Sequence, residues 1–149
     1  MKNYSEWLVK SLIGANNFLT SIIYYWIDLS LEFEKYIEDK RGKIIFLKQD
    51  HKNINLIEIK KGFARGGHFH QTNTNHFLIS GKIQYCEENI ETGMEKISII
   101  KSPCIINTKS YIAHLLIAKE NSLFFEVFEN YEDTVYPKYR KIVKDLMKL

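Results

Sequence analysis

The sequence predicts a mainly β domain, with a sheet closed into a barrel or packed as a sandwich and helical segments at both ends. Three observations carry this. From Lys43 onward the apolar residues fall in short runs separated by Gly, Pro, Asn, Asp and Ser. Nine Tyr, nine Phe and two Trp, beside many Ile, supply strand-favouring side chains. Both ends switch to helical spacing. At 149 residues the chain fits one domain, of a size that buries roughly 70% of its unfolded surface.

Residues 1–39 read as a helical N-terminal extension. Trp7, Leu8, Leu12 and Ile13 are spaced for one helix face, as are Ile22, Ile23, Trp26, Ile27 and Leu31. Gly14 and Asn16-Asn17 divide the segment into two helices. Its apolar part, Leu12 to Ile27, is interrupted by the two asparagines and closed by Asp28. It is shorter than the ~20 residues that span a bilayer, and no small-residue cleavage site follows. A buried or partner-covered helix is expected, with an interfacial anchor as the alternative. The apolar surface around Ile22, Ile23, Trp26 and Ile27 also predicts a homodimer.

Residues 40–130 carry the strand signal. The runs are Ile44–Leu47, Ile54–Ile59, Phe77–Ile79, Ile97–Ile100, Ile105–Ile106, Leu115–Ala118 and Leu123–Phe128. Arg41-Gly42, Asp50–Asn53, Gly66-Gly67, Gly93, Ser102-Pro103 and Lys119–Asn121 separate them. Residues 131–149 form a tail and helix. Tyr131 to Tyr139 leads out of the barrel, and from Pro137 Ile142, Val143 and Leu146 share one helical side with lysines opposite.

Composition excludes several classes. With 45% apolar and 26% charged residues the chain is globular rather than disordered. The charge of +3 is spread along the chain, without the dense basic run that tracks phosphates, so no nucleic-acid partner is expected. Cys86 and Cys104 are neither a disulfide framework nor a zinc spacing, and read as free thiols of a reducing cytoplasm. No phosphate-binding loop or nucleophile–base motif is present, so phosphoryl transfer and acyl-enzyme chemistry have no visible machinery.

The informative segment is Gly62-Phe63-Ala64-Arg65-Gly66-Gly67-His68-Phe69-His70. On a strand, residues i and i+2 share a face, so His68 and His70 project together and offer two nitrogen donors to a borderline cation such as Zn, Fe, Ni or Mn. His114, in the later run Tyr111–Leu116, is a third donor if antiparallel closure brings it over the pair. The plain alternative is two surface histidines on an edge strand and one core histidine. Glu126 lies within the aromatic run Leu123–Phe128, either facing solvent or as a barrel-interior carboxylate that serves as a base or orients a histidine. Phe69 and Tyr85 either pack the core or line the pocket as ligand-stacking aromatics. Arg65, three residues before His68, would attract an anionic ligand.

The segment resembles the first signature motif of the cupin superfamily: Gly, five residues, His-x-His, three or four residues, Glu, six residues, Gly. Gly62, His68, His70 and Gly81 fit it, and His114 matches the histidine of the second motif. Lys109, Tyr111 and Ala118 stand where that motif has Pro, Gly and Asn. The resemblance covers residues 40–130 and implies a jelly-roll barrel with the site inside its mouth.

The family's metal-binding Glu is missing. Thr74, or Asn75 after a one-residue deletion, occupies its place, and neither is an anionic ligand. His76 would replace the carboxylate, but if Asn75 faces inward on a regular strand His76 faces outward. Two expectations follow: a site of three or four histidines that holds a metal, or a metal-free pocket where histidine moves protons.

Asp39-Lys40-Arg41-Gly42, with the Arg65–His70 strand, is similar to small cupins of sugar-nucleotide metabolism, the 3,4-ketoisomerases and capsule-synthesis cupin domains. That resemblance implies His68 or His70 as an acid–base group acting on a nucleotide sugar, a role suited to an imidazole pKa near ~6.5. A non-catalytic ligand-binding cupin is the remaining alternative.

Overall fold

The computed structural model describes residues 31–128 and 132–148. The described strands are β1 (Glu32–Asp39), β2 (Gly42–Gln49), β3 (Lys52–Ile59), β4 (Ala64–His70), β5 (Thr74–Ser80) and β6 (Lys82–Asn89). They continue with β7 (Glu95–Lys101), β8 (Cys104–Thr108), β9 (Ile112–Ala118), β10 (Ser122–Phe128) and β11 (Asp133–Val135), followed by helix α1 (Pro137–Leu146). Two antiparallel sheets result, one in the order β1-β2-β3-β10-β5-β8 and the other β11-β4-β9-β6-β7. This is the expected mainly β fold, with two sheets facing each other as a jelly roll.

Period-two alternation sorts the side chains. On β10, Phe124, Glu126 and Phe128 point inward; on β9, His114, Leu116 and Ala118 do. Between the sheets lies an apolar core that includes Ile57, Ile59, Leu78, Ile83, Tyr85, Leu116 and Phe124. Phe124 is 1% exposed, and burying such a ring contributes about 1.5–3 kcal/mol. The opposite face of the second sheet carries Ala64, Ala113 and Leu115, which α1 covers with Tyr139 and Val143. Pro137 begins the helix, where its missing N–H costs nothing. Tyr136 Oη and Lys138 Nζ reach Glu88 at 2.7 and 2.6 Å, and Tyr139 Oη reaches Glu95 at 2.8 Å, fastening the helix to β6 and β7.

Two expectations are corrected. Residues 32–39 form strand β1, not the end of a helix; the rest of the helical reading, through residue 30, lies outside the described residues. Phe33, Tyr36 and Ile37 have helical spacing, but the β1–β2 pairing carries an irregularity between Phe33 and Lys35. One extra residue shifts the strand phase, so Phe33 and Tyr36 lie opposite Leu47 and Ile45, which share a face of β2. A bulged strand thus imitates a helix in sequence. Second, Gly66-Gly67 does not separate strands but lies inside β4. Their φ values of +91° and +82° are open to glycine, and the β4–β9 register slips there, pairing Gly66 with Leu115 and His68 with His114.

Candidate metal centre

The bulge at Gly67 decides which side chains enter the barrel. Arg65 and His68 are an odd number of residues apart and would face opposite ways on a regular strand. With the extra residue, Arg65 lies opposite the inward Leu116 and His68 opposite the inward His114. His70 follows on the same side as His68. A Cβ at Gly66 would come 2.8 Å from the His114 carbonyl oxygen, and one at Gly67 3.0 Å from Arg140 Cα. Only glycine lets β4 lie this close to both β9 and α1.

From the other sheet, Asn55, Glu126 and His76 stand side by side across β3, β10 and β5. The histidines therefore converge from both walls. Ring centroids are 4.7 Å apart for His68–His70 and His68–His114, and 5.2 Å for His70–His114 and His76–His114. One donor nitrogen from each of His68, His70 and His114 lies within 4.8 Å of the others.

Each imidazole has one nitrogen already faced by an acceptor. Asp133, on β11 beside β4, places Oδ2 3.2 Å from His68 Nδ1 and Oδ1 3.0 Å from His70 Nδ1. Glu126 Oε1 lies 2.9 Å from His76 Nδ1, a contact of distance and charge rather than an aligned hydrogen bond. His114 Nδ1 is 3.5 Å from the Ile112 carbonyl. The Nε2 atoms of His76 and His114 are buried and meet no hydrogen-bond partner. A buried, unpaired nitrogen costs free energy unless something binds it.

Electrostatics favour the neutral form of His114 and His68. Burial, with the other three histidines around it, pushes His114 well below the usual imidazole range. Burial also lowers His68, against the pull of Asp133. For Glu126, burial raises the carboxyl, but His76, His68 and Asn55 outweigh it and hold it below the usual carboxylate range. Neutral imidazoles with Nδ1 engaged and Nε2 open are the form that binds metal, and carboxylates behind the rings are the usual outer support. The donor set fits a divalent transition ion.

The cluster opens into a cavity of about 180 Å³ whose wall includes His68, His114, Glu126, Asp133 and Phe124. Arg65 is buried on that wall, its Nε and Nη2 donating to the Glu58 and Gly42 carbonyls at 3.2 and 2.9 Å. Burial, then the neighbouring Arg41, lower its pKa to about 10, so it keeps its charge.

His68, His70, His114, His76 and Glu126 thus come together, with Arg65 nearby. Three expected positions do not. Asn75 is exposed on β5 and His76, fully buried, takes the interior place, the reverse of the phase assumed from sequence. The β5–β8 register fixes this, setting His76 opposite Ile106 of the core. Phe69 faces the other way and packs in the cluster under α1. Tyr85 is deep in the core, its hydroxyl 2.8 Å from Thr108 Oγ1, and is not on the cavity wall. Sequence reasoning missed Asp133, which sits in the stretch read as a plain connection. Asn55, a lone amide in the apolar run Ile54–Ile59, carried a signal that alternation would have placed inside.

No family model matches the sequence, and no curated protein sequence matches it. Solved structures do match the fold. The capsular polysaccharide assembling protein CapF of Staphylococcus aureus aligns with a TM-score of 0.56 at 16% identity, over 68% of this chain and 31% of that one. CapF with the inhibitor 3-isopropenyl-tropolone gives 0.57 at 16% identity over 68% and 31%. Bacillus subtilis oxalate decarboxylase, a protein with Mn(II) centres, gives 0.61 at 18% identity over 78% of this chain and 35% of that one. The chain spans about a third of the length of these proteins.

Proposed function

The described residues have a cupin fold, and on that premise we propose that the protein holds one divalent transition metal through His68, His70 and His114 and uses the adjoining cavity for a small polar, oxygen-rich ligand. The observation that carries this reading is one carboxylate, Asp133, facing the Nδ1 atoms of two histidines that each bring a donor nitrogen within 4.8 Å of one from His114. His76, whose ring centroid is 5.2 Å from that of His114, would serve as a fourth donor or as a neighbouring base, and Zn, Fe, Ni and Mn all accept such imidazoles. When bound, the ion would supply Lewis-acid polarisation of a ligand oxygen.

The chain's own residues do the rest. Asp133, facing Nδ1 of both His68 and His70, would favour the tautomer with the proton on that nitrogen. Phe124, Leu116 and Ile57 line the apolar side of the cavity. Glu126, on the cavity wall and 2.9 Å from His76 Nδ1, would offer its carboxylate to a ligand in the cavity. Arg65 adds a fixed positive charge. Free thiols at Cys86 and Cys104 support a cytoplasmic setting.

Elemental analysis of protein purified without chelator tests the reading. One transition metal per chain is expected, lost in His70→Ala while the fold persists. Native protein that stays metal-free after exposure to Mn, Fe, Ni and Zn would overturn it.

A second reading rests on the same Asp133 contact. A carboxylate behind His70 is also the arrangement of a general base, so a metal-free isomerase would use His68 or His70 to take a proton beside a ketone and return it to the neighbouring carbon. A nucleotide sugar is the ligand this reading favours, in line with the capsular polysaccharide role in CapF's name. Deuterium exchange into a keto-sugar nucleotide separates the two. Exchange that survives chelator and disappears in His70→Ala supports the isomerase; chelator-sensitive turnover supports the metal.

A further inference from the structure

The cavity wall carries three arginines, Arg41, Arg65 and Arg140, and they are not equivalent. Arg41 is committed to Asp39 through a forked contact, with Nη2–Oδ2 at 2.6 Å and Nε–Oδ1 at 3.1 Å. Arg65 donates to two backbone carbonyls and stands 3.7 Å from Asp39. Arg140 makes no side-chain hydrogen bond or ion pair with any described residue. The acidic groups on the same wall, Glu126 and Asp133, face His76 and the His68–His70 pair. So Arg140, half-buried, shares this wall with His68 and His114 and has no ion-pair partner among the described residues.

Arg140 is also fixed in place. The first turn of α1 is tied to the histidine strand, with Tyr136 N–H donating to the Gly67 carbonyl at 3.0 Å and Arg140 N–H donating to Tyr136 at 2.9 Å. Its backbone lies so close to Gly67 that a Cβ there would be 3.0 Å from Arg140 Cα. The glycine beside His68 therefore sets where the Arg140 side chain starts. A guanidinium whose stem starts from a fixed backbone can meet a planar or tetrahedral oxyanion through paired N–H donors.

We infer that the C-terminal helix supplies the anion-recognition residue of this cavity, Arg140, and that the ligand carries a carboxylate or phosphate group bound by it while its other oxygens face the histidines. The orientation toward the histidines rests on the reading proposed above; the anion site does not.

The test titrates malonate and, separately, inorganic phosphate into native protein, with metal supplied and with chelator, following heat of binding and the unfolding midpoint. Arg140→Gln should weaken the better probe at least tenfold while metal content and unfolding midpoint stay native. Arg140→Lys, which keeps charge without the fork, should fall between the two. Tighter malonate assigns a carboxylate ligand, and tighter phosphate a phosphorylated one. If Arg140→Gln proves unstable, Arg140→Met, which keeps the packing of the stem, takes its place. Equal affinity in native and substituted protein, or no binding of either probe to native protein at tens of millimolar, would overturn the inference. Anion binding that needs Arg140 in a protein that never takes up metal would leave the anion site standing and remove the metal reading alone.

Discussion

Replacing Asp133 by Asn tests how far a single carboxylate organises the site. Its two oxygens lie 3.2 and 3.0 Å from His68 Nδ1 and His70 Nδ1, a position that favours in both rings the tautomer with the proton on Nδ1 and the lone pair on Nε2. The Asn side chain is nearly the same shape but offers one acceptor and one donor. Its oxygen can keep one ring in the productive tautomer. Its NH₂ then confronts the other Nδ1 and favours the tautomer with the proton on Nε2, which removes that ring from the metal. Loss of an outer partner typically weakens metal affinity about 10–100-fold. Because this change also flips one of three donors, the effect should sit at the upper end, about 100-fold or about 2.7 kcal/mol. Asp133→Ala frees both rings without opposing either and should cost less, nearer tenfold. Asp133 lies on a short strand with its side chain 26% exposed, so the fold should lose no more than about 1 kcal/mol. Competition with a chromophoric chelator measures affinity, and urea unfolding of metal-free protein measures the fold. Native affinity in Asp133→Asn, or a weaker site in Ala than in Asn, would refute the tautomer argument.

Other outcomes follow from the same geometry. Metal-free protein should lose stability as pH falls: the folded-state pKa values of His68 and His114 are depressed, so the unfolded chain binds protons first, and the loss begins near pH ~6.5 and deepens until the folded rings protonate. Urea midpoints flat between pH 7 and pH 5 would contradict this. Gly66→Ala should destabilise the fold by about 1–3 kcal/mol and abolish metal uptake, because φ is +91° and the new Cβ would meet the His114 carbonyl at 2.8 Å; native-like melting would count against the bulge as the device that aims His68. A homodimer is expected in light scattering, since Tyr36, Ile45, Leu56, Phe125, Phe77 and Ile105 form one apolar row across the outer face of the first sheet; a monomer mass at micromolar concentration would speak against it.

The sequence by itself determined the local pattern. Short apolar runs marked β2, β3, β5, β7, β8, β9 and β10, though not β6 or β11, Pro137 and the Ile142–Val143–Leu146 side gave the final helix, and the i, i+2 spacing put His68 and His70 on one face. What alternation cannot give is the absolute side. It says that Asn75 and His76 face opposite ways, and only pairing with β8 and β10 decided that His76 is inside. Nor does it survive an inserted residue: bulges in β1 and β4 reset the phase, turning a helix-like spacing into a strand and bringing Arg65 to the same side as His68. Asp133 and Arg140 reach the site through contacts with β4 from more than sixty residues away in sequence, where no local spacing relates them to the histidines. The physical reason is one of range. Side-chain direction along a strand is set by neighbouring residues, whereas register, bulges and the carboxylate behind an imidazole are settled by which long-range pairing buries the most apolar surface and leaves the fewest polar groups alone.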